Sequence, residues 1–255
     1  MTITKAQLKS ISNLKLKKFR NLEGKFLVEG ERGVFDGLNS NHKCEIILVT
    51  KKFFENNTNS LKKIKNLEIV TENEFKKITE TINPQGIAAV FFKKKQINNW
   101  AKNLSSDLIV CLEDVSDPGN VGAVIRNCDW FGIKEIIISE NCADIYNPKT
   151  IRASVGSIFH LNIYTSKNLL TDLTEIKKYG YTISSSTLNG KNIYQFQSNK
   201  KAILILGNEA NGVSNKVMNI SDVLLTIPKI GNAESLNVAS ASAVILSELT
   251  KPKFL

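Results

Sequence analysis

The strongest constraint on this chain is a set of short apolar runs that show no polar alternation. They are DLIVCLEDV (107–115), KEIIISE (134–140), KKAILILGN (200–208) and DVLLTIP (222–228). A strand wetted on one face alternates apolar and polar residues, whereas a strand apolar throughout is buried on both faces. HLNIYT (160–165) and YTISSST (181–187) read as further strands. Helical patterns separate them at Pro118 to Phe131, NPKTIRASVG (147–156), Lys167 to Tyr179 and Glu234 to Leu249. The alternation predicts an α/β fold with a mostly parallel sheet covered on both faces.

A smaller α/β series precedes it. Ile3 to Phe19 reads as one basic helix with Leu8, Ile11, Leu14 and Leu16 apolar. KFLVEG, CEIILVT, LEIVT and GIAAVFF read as strands, with ERGVFDGLN, KKFFENNTNSLKKI and ENEFKKITE as helices between them. The polar stretch Lys93 to Ser106 follows. The predicted organisation is a small domain over 1–95, a linker over 96–106 and a second domain over 107–255, and 255 residues suffice for two domains.

Charge separates the two parts. Residues 1–104 hold 20 Lys/Arg against 10 Asp/Glu, and residues 105–255 hold 14 against 14, so the net +10 lies wholly in the first part. A basic domain joined to a neutral one points to a polyanion, and a solvated lysine-rich face is the plain alternative. Only four of the 34 basic residues are arginine: Arg20, Arg32, Arg126 and Arg152. The chain uses Lys for plain charge, so an Arg marks a place for the planar fork that Lys lacks. Arg126 and Arg152 are the arginines of the neutral part, and both lie in Gly/Asn-rich segments.

Several classes lose support. No apolar run reaches eighteen residues, so no membrane span is expected. The opening MTITKAQLKS lacks the apolar core of a signal peptide, and the cytoplasm is the expected compartment. Cys44, Cys111, Cys128 and Cys142 form no CxxC pair; Cys111 and Cys128 read as small buried hydrophobes. With two histidines, His42 and His160, no metal site is expected, and His160 reads as structural. No P-loop, strand-following GxGxxG, GxSxG or HExxH occurs.

Three loops carry the chemistry. In DPGNVGAVIRNCDWFG, Asp117 can cap a helix that starts at Pro118. Gly119 and Gly122 bare the helix entrance, Asn120 adds an amide, and Arg126 follows one turn after Gly122. The arrangement suits a phosphate or a developing oxyanion, and equally suits close helix packing. In ILGNEANGVS, Glu209 is the lone charge after an apolar strand. It suits a pair with Arg126, a cationic ligand or a simple turn. In IPKIGNAESLN, Pro228 and Gly231 shape a loop before a small-residue helix, with Ser235 as a candidate N-cap.

Together these three segments resemble the motifs of the SpoU (TrmH-type) RNA ribose methyltransferases of the SPOUT superfamily. NPKTIRASVGSIFHLNI (147–163) resembles that family's middle segment, and the resemblance covers about Asp107 to Leu249. The basic part, through KFLVEGERGV, resembles an L30e-like RNA-binding domain. The resemblance implies a deep trefoil knot in the second domain, a homodimer, and S-adenosyl-L-methionine as cofactor. It implies cofactor contacts at Leu206, Gly207, Asn208, Ile227, Pro228, Ser235, Leu236 and Asn237. It makes Arg126 the central catalytic residue, positioned with Asn120, Glu209, Ser235 and Asn237. Arg126, Arg152 and Ser154, with Lys17, Lys18, Arg20 and Arg32 of the basic part, are the expected RNA contacts. The implied product is a 2′-O-methylated ribose, in ribosomal RNA rather than tRNA; a non-catalytic RNA-binding assembly factor is the competing reading. Two departures stand out. Asn127 follows Arg126 where many relatives have Thr, and Ala239-Ser240 stands where many have Ser-Val.

Overall fold

The computed structural model describes residues 3–62, 64–97, 99–196 and 201–251. Lys63, Asn98 and Lys200, which fall in segments read above as helix, linker and strand, lie outside the described residues. In chain order the first elements are α1 (Lys5–Asn13), α2 (Lys17–Glu23), β1 (Lys25–Glu29), α3 (Glu31–Leu38), β2 (Cys44–Thr50) and α4 (Lys51–Asn56). Next come α5 (Thr58–Leu61), β3 (Leu67–Val70), α6 (Glu72–Ile78), β4 (Ile87–Phe92), β5 (Leu108–Leu112) and α7 (Pro118–Trp130). Then follow β6 (Glu135–Ser139), α8 (Pro148–Ser154), β7 (Asn162–Ser166), α9 (Leu169–Lys177) and β8 (Thr182–Asn192). The chain closes with β9 (Ala202–Leu206), α10 (Asn215–Ile220), β10 (Val223–Thr226) and α11 (Val238–Thr250).

Two compact units result. The first joins Met1–Lys95 to Asp144–Phe159; the second joins Gln96–Ala143 to His160–Leu255. Segment 144–159 falls within the sequence span of the second expected domain yet packs with the first unit.

The first unit holds a four-stranded sheet in the order β1-β4-β2-β3. Strand β4 is antiparallel to β1 and β2, and β2 is parallel to β3. The predicted helix over 3–19 is instead two helices. Arg20 supplies the reason. Its Nη1 donates to the carbonyls of Leu14 (2.9 Å) and Lys15 (2.7 Å), groups that a continuous helix would have spent on its own backbone. Its Nε and Nη2 donate to Asp144 Oδ2 at 3.0 and 2.7 Å. Arg20 is 1% exposed. The expectation that Arg20 contacts RNA is therefore corrected: its fork is spent inside the first unit.

The second unit holds a six-stranded sheet in the order β10-β8-β9-β5-β6-β7, and every neighbouring pair is parallel. Strands β6 and β9 are buried along their whole length, as unbroken apolar runs require. Strand β8 extends beyond the predicted YTISSST. Ser184 and Ser185 pair with Val223 and Leu224, and then Lys191 and Asn192 pair with Leu225 and Thr226. Within the intervening stretch Gly190 lies on the β10 backbone, where a Cβ would sit 2.5 Å from the Leu224 carbonyl oxygen. Helix α11 starts at Val238 rather than Glu234. Asn237 is its N-cap, with Oδ1 accepting from Ala239 N at 2.9 Å. Among the described residues no helix is long and apolar enough to cross a membrane, and no cluster of His, Cys, Asp or Glu could hold a metal ion.

Removing one partner of a buried ion pair strands the other charge. Arg20→Met is expected to lower the unfolding free energy by about 3 kcal/mol, measured by urea denaturation. A loss under about 1 kcal/mol would show that Asp144 does not depend on this guanidinium.

Candidate active site

In a parallel sheet the carboxyl ends of all strands open on one edge, and ligands gather there. The three motif loops leave the ends of β5, β9 and β10. In the sheet β9 adjoins β5, and β8 alone separates β9 from β10.

The loop after β5 is built from side chains that grip its neighbours. Glu113 is buried. Its Oε2 accepts from Ser214 N at 2.9 Å and its Oε1 from Ser214 Oγ at 2.6 Å. Asp114 adopts φ 55°, a left-handed conformation that Asp tolerates better than most residues. Its N–H donates to Ser139 Oγ at 2.8 Å, and Ser139 Oγ donates to Asp114 Oδ1 at 2.6 Å. Asn208 Nδ2 donates to the Asp114 carbonyl at 2.8 Å, which ties the loop after β9 to the loop after β5. Asp117 then caps α7, accepting from Asn120 N at 2.9 Å, with Pro118 in the first turn.

The loop after β9 is a tight reversal. Asn208 and Gly212 exchange backbone hydrogen bonds of 3.1 and 2.9 Å, and Asn208 Oδ1 accepts from Ala210 N at 2.9 Å. Gly207 faces that reversal so closely that a Cβ would lie 2.2 Å from the Gly212 carbonyl carbon and from Val213 N. The fold thus forces glycine here, and it leaves Glu209 exposed at the tip.

The loop after β10 is different in kind. Every residue from Pro228 to Asn237 is exposed. No residue from 228 to 236 forms a hydrogen bond among the described residues. Ile230 is fully exposed and Leu236 is 51% exposed. The stretch offers unspent backbone donors and acceptors beside bare aliphatic surface. Such a donor set fits a ligand that joins an aromatic base to an amino-acid group, the chemistry of S-adenosylmethionine.

One hydrogen-bond chain joins all three loops. Asn237 Nδ2 donates to Asn120 Oδ1 at 3.0 Å, and Asn120 Nδ2 donates to Glu209 Oε1 at 2.8 Å. Three of the five expected catalytic residues therefore meet. Arg126 and Ser235 do not join the chain. Arg126 is exposed on α7 and makes no hydrogen bond or ion pair among the described residues. Glu209 gives its carboxylate to Asn120 rather than to Arg126, so the pairing left open in the sequence is not the one formed. Ser235 is exposed and is not the N-cap of α11.

The other expected residues divide cleanly. Leu206 is buried at the end of β9, Ile227 is half-buried, and Pro228 and Leu236 are exposed. Lys17 and Lys18 are exposed on α2. Arg32 is exposed, 3.8 Å from Asp36. Arg152 is engaged by Glu80 at 3.4 Å and Glu29 at 3.7 Å. Ser154 is buried, its Oγ donating to the Ile151 carbonyl at 2.9 Å; the expectation that it contacts RNA is corrected, because it closes its own helix. His160 pairs with Asp129 through Nδ1 at 2.8 Å. Cys111 and Cys128 are buried as expected, and burial pushes the Cys128 thiol far above its usual range, so it is no nucleophile. Sequence reasoning missed the Glu113–Ser214 clamp, since nothing local marks partners 101 residues apart.

Comparison with known proteins adds independent findings. Residues 107–247 match the SpoU rRNA Methylase family, and residues 5–89 match the MRM3-like substrate binding domain. The chain is 32% identical over 252 residues to the 23S rRNA (guanosine(2553)-2′-O)-methyltransferase RlmP of Bacillus subtilis, covering 95% of this chain and 98% of that protein. It resembles the structure of a protein assigned to the TrmH family of RNA methyltransferases from Porphyromonas gingivalis, with 30% identity and a TM-score of 0.87. That match covers 99% of this chain and 100% of the other. It also resembles an AdoMet-bound rRNA methyltransferase from Sinorhizobium meliloti, with 26% identity and a TM-score of 0.85 over 100% and 98% of the two chains.

The Gly207 contact yields a direct check. Gly207→Ala is expected to force the 212–213 backbone away at a cost of about 2 kcal/mol or more, read as a lowered urea midpoint. Unchanged stability would mean that the reversal is not held against β9.

Proposed function

This chain belongs to the SpoU rRNA methylase family, and on that premise we propose that it methylates the 2′-oxygen of a ribose in ribosomal RNA, with S-adenosylmethionine as donor. The single observation that carries the reading is Arg126: an exposed guanidinium with no carboxylate partner among the described residues, on the helix whose Asn120 links all three loops.

Backbone groups near Gly207, Ile227 and Leu236 would hold the cofactor, with Leu206, Asn208, Pro228, Ser235 and Asn237 beside them. Bound there, S-adenosylmethionine supplies a methyl group on a sulfonium, already electrophilic. The protein's work is then to place the ribose hydroxyl and to manage its proton. Arg126 binds the phosphate next to the target ribose with its fork and stabilises the forming alkoxide, while the hydroxyl proton passes to solvent water. A free guanidine base is disfavoured, because the pKa of arginine is above about 12. Glu209, Asn120 and Asn237 hold the loops that shape the site. Preorganised donors of this kind act where charge develops.

Residues 1–95 serve as the L30e-like RNA-binding domain. The +10 surplus of the first part and the substrate-binding match over 5–89 support this. Lys17, Lys18 and Arg32 supply exposed charge to phosphates there, and Arg152 adds to it only by sharing its carboxylates. Residues 96–106 lead into the knotted methyltransferase domain, which spans 107–255 apart from the segment 144–159 that packs with the first unit. The protein works in the cytoplasm as a homodimer. Trp130, 83% exposed at the end of α7, supports a partner surface, since a bare indole of that size is costly in water.

The deciding experiment is methyl transfer from labelled S-adenosylmethionine to unmodified rRNA and tRNA, with sites mapped by resistance to alkaline cleavage. One new protected position in rRNA is expected. Protection only in tRNA would overturn the substrate class, and absence of both transfer and cofactor binding would restore the assembly-factor reading. Arg126→Lys keeps the charge but loses the fork, and it is expected to slow transfer about 100-fold. Near-normal turnover by Arg126→Lys would sink the forked contact.

A further inference from the structure

We infer that Asn127, the residue after Arg126, is a positioning residue that fixes where the Arg126 side chain leaves α7 relative to α11. The inference rests on the role given to Arg126 above and extends it to a residue outside the motif chemistry. Asn127 Nδ2 donates to the Ala239 carbonyl at 2.8 Å and to Ser242 Oγ at 2.9 Å. Ser242 Oγ itself donates to the same Ala239 carbonyl at 2.7 Å. The result is a closed triangle between α7 and the first turns of α11. Ser242 is fully buried, so the triangle is shielded from competing water.

The geometry of α7 gives the triangle its function. Asn120 and Asn127 are seven residues apart, so they lie on nearly one stripe of the helix, about 10 Å apart along its axis. Asn120 is bonded to Asn237, the N-cap of α11, and Asn127 is bonded to Ala239 and Ser242 inside α11. The buried face of α7, with Val121, Val124, Ile125 and Cys128, sets its roll against the core. The two links on one stripe hold α7 from Asn120 to Asn127 at a fixed height along the first turns of α11. Arg126 precedes Asn127 and is displaced about 100° around the helix, so the Asn127 link fixes where the Arg126 side chain leaves α7 relative to the cap of α11. No carboxylate among the described residues orients Arg126 instead.

Two links also bind the two ends of the site to each other. Ala239 N donates to Asn237 Oδ1 at 2.9 Å while the Ala239 carbonyl takes the Asn127 amide. A single residue of α11 thus connects the cap that holds Asn120 with the amide beside Arg126. An amide is the side chain suited to this place, because its two N–H groups serve two acceptors at once. A single hydroxyl offers only one donor.

The test compares wild type, Asn127→Leu, Asn127→Ala, Arg126→Lys and the Asn127→Leu/Arg126→Lys double variant. Leucine keeps the volume of the amide without its donors; alanine is measured alongside because it is a good helix former and keeps the test open if leucine packs badly. Single-turnover methyl transfer is measured on the full-length protein with the rRNA substrate, together with dissociation constants for S-adenosylmethionine and RNA. Both Asn127 variants are expected to slow transfer about tenfold while the two dissociation constants stay within about twofold. The double variant is expected to be no slower than Arg126→Lys, because a shifted starting point matters only to a forked contact. Transfer within about twofold of wild type in Asn127→Ala, with Arg126→Lys slow, overturns the role of Asn127 alone. Multiplying losses in the double variant, or weakened binding of both ligands, would make Asn127 a packing residue and overturn it as well. A fast Arg126→Lys overturns the reading of Arg126 itself, and with it this inference.

Discussion

The site depends on one side-chain amide. Asn120 donates to Glu209 and accepts from Asn237, and these partners lie 89 and 117 residues away along the chain. No other residue type of that length can donate and accept in fixed directions at every pH; a carboxylate accepts only, and an ammonium donates only. Exposed hydrogen bonds contribute roughly 1 kcal/mol net each, so the chain orients the loops rather than stabilising the fold. Stability comes from below it, from strands β5, β6 and β9 with their nearly complete burial. The division of labour is plain: the sheet supplies a rigid edge, and a few amides aim what projects from it.

That division explains what could be read from the chain. A parallel strand buried on both faces must be apolar throughout, so the runs at 107–115, 134–140 and 200–208 announce β5, β6 and β9 without help from distant residues; the run at 222–228 also forms a strand, β10, but at the sheet edge with only Leu225 buried. The motif residues were legible for a related reason. Asp117, Pro118 and Asn120 form a local helix start, and Gly207 with Gly212 forms a local reversal. What failed was whatever depends on distance in sequence. The predicted helix over 3–19 breaks because Arg20 takes the carbonyls of Leu14 and Lys15 while gripping Asp144, 124 residues away. The cap of α11 follows the same rule: Ser235 and Asn237 are both good caps, and the helix is capped by Asn237, which is bonded to Asn120, 117 residues away.

The same limit governs the arginines. Scarcity of Arg marks four positions as special, and Arg126 and Arg152 are the two that lie in Gly/Asn-rich segments of the second part. Pairing separates them. Arg20 has Asp144, Arg32 lies near Asp36, and Arg152 has Glu80 and Glu29, while Arg126 has no carboxylate among the described residues. A guanidinium already neutralised must share or give up its partner before it can take a phosphate, whereas a free one surrenders only water. Scarcity therefore identifies where a fork is needed, and the absence of a partner identifies which fork is available to a substrate. The lysines of the first part follow another logic. Lys17 and Lys18 are exposed point charges, whose attraction for phosphate is long-ranged, tolerant of geometry and weakened by salt. Affinity built from such charges falls as salt rises, whereas the directional contact proposed for Arg126 would fail if that residue shifted. On that proposal the enzyme can vary its lysines freely but must hold its one free arginine still. The amides around α7 would then carry more of the chemistry than their small individual energies suggest.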